Sequence, residues 1–248
     1  MSGHSKWSTI KRKKGTNDAK RGKLFTKLIK EILVSARSGG DENANPRLRT
    51  AVQNAKMANM PQATIDRAIR RGTGEDDEVE YEEGLFEGYG PGGVAIMVET
   101  LTDNRNRTVA ELRHVFSKYN GNLAENGSVS WMFDQKGLVE VEKSTISEED
   151  LMLAVMDAGA EDIHDADEVY EISVSIPDFE AVKKALNVSG LNYLQASLVR
   201  TPQNLLELQS SEAEQIIHLL EALEDLDDVQ KVFSNFDVRE DDLQRLIG

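Results

Sequence analysis

The chain has 248 residues, no cysteine, and 44 Asp and Glu against 29 Lys and Arg, a formal net charge of −15. The missing cysteine excludes a disulfide scaffold, a thiol nucleophile, an iron–sulfur cluster and any cysteine-based zinc site, and it suits a reducing compartment. The longest apolar run, Val94 to Val98, falls far short of the roughly 20 residues a membrane-spanning helix needs, and no apolar stretch follows the early charges as a secretory signal would require.

The charge is unevenly spread. Residues 1–74 hold 17 Lys and Arg against 5 Asp and Glu, a net of +12, whereas residues 75–248 hold 12 against 39, a net of −27. A basic module joined to an acidic body points to a polyanionic partner. Gly72 and Gly74 followed by Glu75 to Glu78 mark a linker near residues 72–82.

In chain order, residues 1–15 are basic and aperiodic and read as an arm. The helical period then predicts a helix from about 17 to Ser38, with Leu24, Phe25, Leu28, Ile29, Ile32, Leu33 and Ala36 on one side. Lys20, Lys23, Lys27, Lys30 and Arg37 cluster on the other side, with Arg21 nearer the apolar one. Asn45 and Pro46 open a second helix as N-cap and first residue. A third starts after Met60-Pro61, carries Ile65, Ala68 and Ile69, and ends at Gly72.

The acidic body alternates strands and helices. A Gly-rich turn, Gly88 to Gly93, precedes a strand from Val94 to Leu101. It matches G-x-G-x-x-G, but a dinucleotide site would follow the strand and open a helix, so a tight turn or a close-approach surface is the reading. A helix through about Tyr119 and a strand over Ser128–Phe133 come next. The pattern from Gly137 onward is strand (138–142), helix (Ser147 to Ala158), strands (161–164 and 169–176), helix (178–188) and strand (194–200). That order, βαββαβ, is ferredoxin-like. A strand over Leu205–Gln209, a helix from Ser211 to about Asp225 and a strand over Val229–Val238 close the chain. The expected fold class is therefore α+β, an N-terminal three-helix domain plus two ferredoxin-like α/β domains, one inserted into the other. The expected boundaries are 1–78 for the basic helical domain with its arm, 79–134 plus 203–248 for the discontinuous domain, and 135–202 for the inserted one.

No catalytic constellation, P-loop or metal-binding histidine pair is present, so neither an enzyme nor a cofactor or metal site is expected. The stretch from Asp162 to Asp167, which includes His164, reads as a polar turn rather than a metal cluster. The basic module is the candidate nucleic-acid surface, through Lys6, Trp7, Lys11, Arg12, Lys13, Lys14, Lys20, Arg21, Lys23, Lys27 and Lys30. Trp7 either stacks on a base or packs against the first helix. Arg49, Gln53 and Asn54 are the nearest approach to a base-reading cluster. Gly88, Tyr89, Gly90, Arg105 and Arg107 are candidate secondary contacts from the body, against a tight turn for the first three and a solvated loop for the two arginines. A membrane surface is disfavoured because no apolar anchors flank the basic face. The acidic runs Glu75–Glu83 and Glu221–Asp228 read as solvated faces, or as groups that repel nucleic acid or mask the basic module.

Gly3 to Trp7 (GHSKW), Asp18 to Lys27 (DAKRGKLFTK), Gly88 to Ala95 (GYGPGGVA), Thr102 to Thr108 (TDNRNRT) and Gly127 to Ser130 (GSVS) resemble the YebC family, in order and across essentially the whole chain. The resemblance implies a helical N-terminal domain, two α/β domains and a cytoplasmic, probable DNA-binding transcriptional regulator. It also implies a link to translation, because relatives include the mitochondrial translational activator of cytochrome c oxidase. DNA is thus the leading partner, reached with the transcription machinery, and ribosomal RNA on the ribosome is the alternative. A protein-interaction or ligand-sensing module is a third reading.

Overall fold

The computed structural model describes residues 18–74 and 81–239, and its architecture is mixed α+β, with N-terminal helices and antiparallel sheets. Three helices come first, α1 (Asp18–Ala36), α2 (Pro46–Met57) and α3 (Gln62–Gly72). Asn45 caps α2 as expected, its side chain accepting from the Leu48 amide at 3.1 Å while its own amide donates to the Ser35 and Gly39 carbonyls. One side chain therefore fixes the α1–α2 corner. Ile32, Leu48, Val52, Ala55, Ile65 and Ala68 form the core between the three helices.

Beyond the linker run β1 (Glu82–Tyr89), β2 (Ala95–Thr102), α4 (Arg105–Lys118), β3 (Asn122–Leu123), β4 (Phe133–Glu142), α5 (Glu148–Val155), β5 (Ala160–Ala166) and β6 (Val169–Val174). They are followed by α6 (Phe179–Val188), β7 (Gln195–Pro202), β8 (Leu206–Glu207), α7 (Ser210–Glu224), β9 (Val229–Ser234) and β10 (Phe236–Asp237). β4 to β7 form an antiparallel sheet in the order β5-β6-β4-β7. Counted within the unit this is 2-3-1-4, the order that a βαββαβ chain with both helices on one face produces. α5 and α6 cover that face over Val139, Val141 and Ile172.

The outer sheet runs β3-β1-β2-β9, also antiparallel, and draws its strands from both sides of the inner unit in sequence. Its strand order differs from the inner sheet's for two reasons. The first is β1, a strand the sequence pattern did not predict, which pairs with β2 as a hairpin closed by the glycine turn. The second is that Ser128–Phe133 is not a strand. It is a loop ending in a single 3₁₀ turn at Ser130–Met132, and β4 begins only at Phe133. The final expected strand divides at Asn235, whose side chain accepts from the Ala95 amide at 2.8 Å, and β10 then pairs in parallel with β8.

The two sheets pack through the faces their helices leave bare. Ala95, Met97 and Phe233 meet Phe133 and Val199 there, while Val94, Ile96 and Val98 point to the α4–α7 side. A strand buried on both faces needs an unbroken apolar run, which is what Val94 to Val98 is. Among the described residues no helix is long and apolar enough to cross a membrane.

Candidate nucleic-acid interface

The lysine row of α1 faces the body of the same chain. α7 ends at Glu224, and its last carbonyls have no partner within the helix. The lysines supply partners. Lys23 Nζ donates to the Asp225 carbonyl at 3.1 Å and to its carboxylate at 2.8 Å. Lys27 Nζ donates to the Glu224 carbonyl at 2.9 Å, and Lys30 Nζ to the Asp227 carbonyl at 2.8 Å. Lys23 and Lys27 thus sit on the negative end of a helix dipole contributed by a segment about 200 residues away, and Lys30 takes a carbonyl of the turn that follows that helix. Lys30 is 8 % exposed. Its charge is spent inside the protein.

Asp228 completes this contact and is itself 3 % exposed, so the Glu221–Asp228 run is not a wholly solvated face. One carboxylate oxygen takes Lys30 Nζ at 3.1 Å. The other takes Arg107 Nη2 at 2.7 Å and the hydroxyls of Thr102 and Thr108 at 3.0 and 2.8 Å. Burial raises the proton affinity of this carboxyl, but its hydrogen bonds from Arg107, Thr108 and Lys30 outweigh that and hold it below the ordinary aspartate range. The TDNRNRT stretch is the receptor for this carboxylate. Asn104 caps α4 by accepting from the Arg107 amide, and Thr102, Arg107 and Thr108 converge on Asp228.

A second buried carboxylate explains the GSVS stretch. Glu87 on β1 is 4 % exposed and accepts from the amides of Gly127, Val129 and Ser130 at 2.8, 2.6 and 2.9 Å. Burial acts to raise its pKa, and the three amides together reverse the shift and lower it. Gly88 and Gly90 are buried and Tyr89 is half-buried, its hydroxyl donating to the Ser128 carbonyl at 3.0 Å, so these three pack the hairpin instead of offering a contact surface. Gly92 and Gly93 form the exposed tip with φ of 71° and 79°, a conformation that favours glycine.

The remaining sequence candidates separate cleanly. Arg105 holds Glu82 at 2.9 Å and Arg107 holds Asp103 and Asp228, so both are neutralised. The polar residues of α2 meet the inner unit. Asn54 exchanges hydrogen bonds with the Ala196 backbone at 2.9 and 3.3 Å, Gln53 accepts from the Tyr193 hydroxyl at 2.7 Å, and Arg49 holds Glu180 at 3.0 Å. The expected base-reading cluster is therefore an internal seam. Arg21 is exposed, its guanidinium 5.5 Å from the centre of the Phe25 ring. Lys6, Trp7, Lys11, Arg12, Lys13 and Lys14 lie outside the described residues, as does the side chain of Lys20. His164 lies on β5 opposite Glu171, and among the described residues no group of three or more metal-binding side chains is arranged to hold an ion.

A family model for the TACO1/YebC protein N-terminal domain matches residues 5–75, and one for the TACO1/YebC second and third domain matches residues 81–236. The chain belongs to the TACO1/YebC family. A probable transcriptional regulatory protein of Desulfosudis oleivorans is 55% identical over 236 residues, covering 95% of this chain and 96% of that one. One of Geobacter sulfurreducens is 52% identical over 248 residues and covers both chains fully. The crystal structure of a conserved hypothetical protein from Aquifex aeolicus superposes with a TM-score of 0.85 at 46% identity, covering 90% of this chain and 93% of that one. Within this TACO1/YebC chain, the cations that sequence reasoning passed over are Arg67, Arg70 and Arg71 on α3. Their signal was present, since all three fall opposite Ile65, Ala68 and Ile69 on the helical wheel.

Proposed function

We propose that the protein is a non-enzymatic, nucleic-acid-binding regulator of transcription that docks on DNA through its basic N-terminal module and works in the cytoplasm. The observation that carries this reading is the charge separation, +12 in residues 1–74 against −27 in the rest. An acidic body repels phosphate, so a polyanion approaches the module and is turned away elsewhere. The names of the relatives, probable transcriptional regulatory proteins, support the same reading. Lys6, Lys11, Arg12, Lys13, Lys14, Lys20 and Arg21 are its phosphate contacts, with Trp7 available to stack. Lys23 and Lys27 join them only where DNA displaces the end of α7, and Lys30 remains structural. Chemical crosslinking in cells, followed by sequencing of the attached nucleic acid, tests this. Discrete promoter DNA is the expected product. Ribosomal RNA at one position would replace the reading with a role in translation, and no enrichment over background would end it.

A further inference from the structure

We propose that the outward face of α3 seats on the phosphate backbone of duplex DNA, with Arg67, Arg70 and Arg71 as the contacts. This deepens the nucleic-acid reading above and rests on it. α3 is short and sharply two-sided. Ile65 and Ala68 are buried against the other helices, and Gly72 lies so close to α1 that an added Cβ would stand 2.3 Å from the Leu33 carbonyl oxygen. Arg67 and Arg70 are exposed on the opposite side and Arg71 is half-buried beside them. Three guanidinium groups therefore project over about 6 Å of helix axis, at a rise of about 1.5 Å per residue.

None of the three guanidinium groups has a hydrogen bond or ion pair among the described residues, although the chain carries 44 Asp and Glu. Several arginines elsewhere are matched to acids, as Arg47 is to Glu31 and Glu83, Arg49 to Glu180 and Arg200 to Glu99, while Arg21 and Arg113 are single exposed cations without an acid partner among the described residues. The one acid on this helix, Asp66, accepts from Gln62 Nε2 at 2.8 Å. Like charges three and four residues apart destabilise a helix. The dipole at the helix C-terminus offsets this for Arg70 and Arg71 in the last turn. Arg67 lies a turn earlier and gains nothing from that effect. Planar, five-donor guanidinium groups pair with phosphate oxygens in a bidentate fashion, which ammonium groups do not. The module accordingly divides its cations. Lysines on α1 cap carbonyls of the body, and arginines on α3 are left for an anion.

The test is binding of the full chain to a DNA duplex, followed by fluorescence polarisation from about 50 to about 200 mM salt. The proteins compared are the wild type, the triple variant R67A/R70A/R71A, and R113A. Arg113 is an exposed arginine of α4 and serves as the charge control. Alanine keeps α3 helical, and a circular dichroism melt confirms the fold. Each lost phosphate contact flattens the log–log salt slope by about 0.9, so the triple variant is expected to lose up to roughly 2.7 of slope and about 100-fold in affinity near 0.1 M salt. R113A is expected to follow the wild-type curve. A triple variant that binds like the wild type would overturn the α3 interface and leave the nucleic-acid reading standing. A loss in R113A of about a third of that in the triple variant, one charge against three, would also overturn it, because binding would then follow net charge and not a face. A wild type with no salt-dependent binding would remove the nucleic-acid reading itself.

Discussion

Replacing Asp228 by alanine strands the ammonium group of Lys30. The side chains of the pair are 10% and 5% exposed and 3.1 Å apart, so little solvent reaches them to take over the charge. Removing one partner of such a pair costs about 3–5 kcal/mol, most of it the penalty of leaving the other charge buried alone. The same change takes an acceptor from Arg107, Thr102 and Thr108. For a chain of this length, about 2–4 °C of melting temperature is lost per kcal/mol, so D228A is expected to melt roughly 6–20 °C below the wild type. K30M is expected to cost less, since Asp228 keeps its other three donors. The double variant K30M/D228A is then decisive. It removes both charges, and should be more stable than the sum of the single changes predicts by about 1–3 kcal/mol. Urea unfolding of the four proteins gives the coupling energy directly. A coupling below about 0.5 kcal/mol would refute the claim that the helical module is held to the body by this buried pair.

Three further outcomes follow from the same packing. E87Q puts an amide donor among three backbone donors and should cost about 3 kcal/mol, read out as faster hydrogen exchange at Gly127, Val129 and Ser130; unchanged protection would contradict the carboxylate's role. The depressed carboxyls of Asp228 and Glu87 make stability pH-dependent, and the sign is fixed by proton uptake. The unfolded chain takes up protons near pH 4, before the folded one does, so the stabilisation is complete above about pH 5 and is lost as pH falls through the lower folded values. The urea midpoint should therefore drop between pH 7 and pH 3.5, by less in E87Q than in the wild type, and equal drops would exclude Glu87 as a source. G88A places a Cβ 2.6 Å from the Phe116 ring and 2.7 Å from the Asn122 carbonyl oxygen, and should destabilise by about 1–3 kcal/mol in thermal melts, whereas a neutral effect would mean that β3 moves freely.

Local chemistry was legible and long-range pairing was not. Asn45-Pro46 announces the start of α2 because a cap acts within three residues. The inner βαββαβ order is visible because β4 and β6 carry apolar alternation, at Val139 and Val141 and at Tyr170, Ile172 and Val174. β1 was missed because EEGLFEGY carries three glutamates and two glycines, and Glu87 is buried only because amides from residues 127–130 surround it. Those amides also explain the error at Ser128–Phe133, where a strand-like apolar spacing belongs to a loop folded over a carboxylate. The lysine face of α1 was seen correctly as a face. What no helical wheel shows is that the end of α7, about 200 residues on, lies against it. The resemblance located the TDNRNRT and GSVS stretches without their roles, which the structure gives as holders of Asp228 and Glu87.

The consumption of the lysine face and the display of the arginine face have one origin. α1 is clamped between two elements, with Ile32 and Ala36 in the helical core and Lys23, Lys27 and Lys30 on the end of α7. α2 is clamped as well, through Arg49, Gln53 and Asn54, against α6 and β7. Of the three helices, α3 has its polar side free of such contacts among the described residues, and that side carries the arginines. A module bound to its own body by two of its helices cannot turn. The direction in which α3 faces is therefore set by Asp228, Lys30 and the α2 seam, residues turned into the protein. Variants at those positions are expected to weaken DNA binding through loss of orientation, with the salt slope unchanged. Variants at Arg67, Arg70 and Arg71 are expected to weaken it through loss of the proposed contacts, with the slope reduced. The slope, more than the affinity, thus distinguishes a residue that positions the interface from one that forms it.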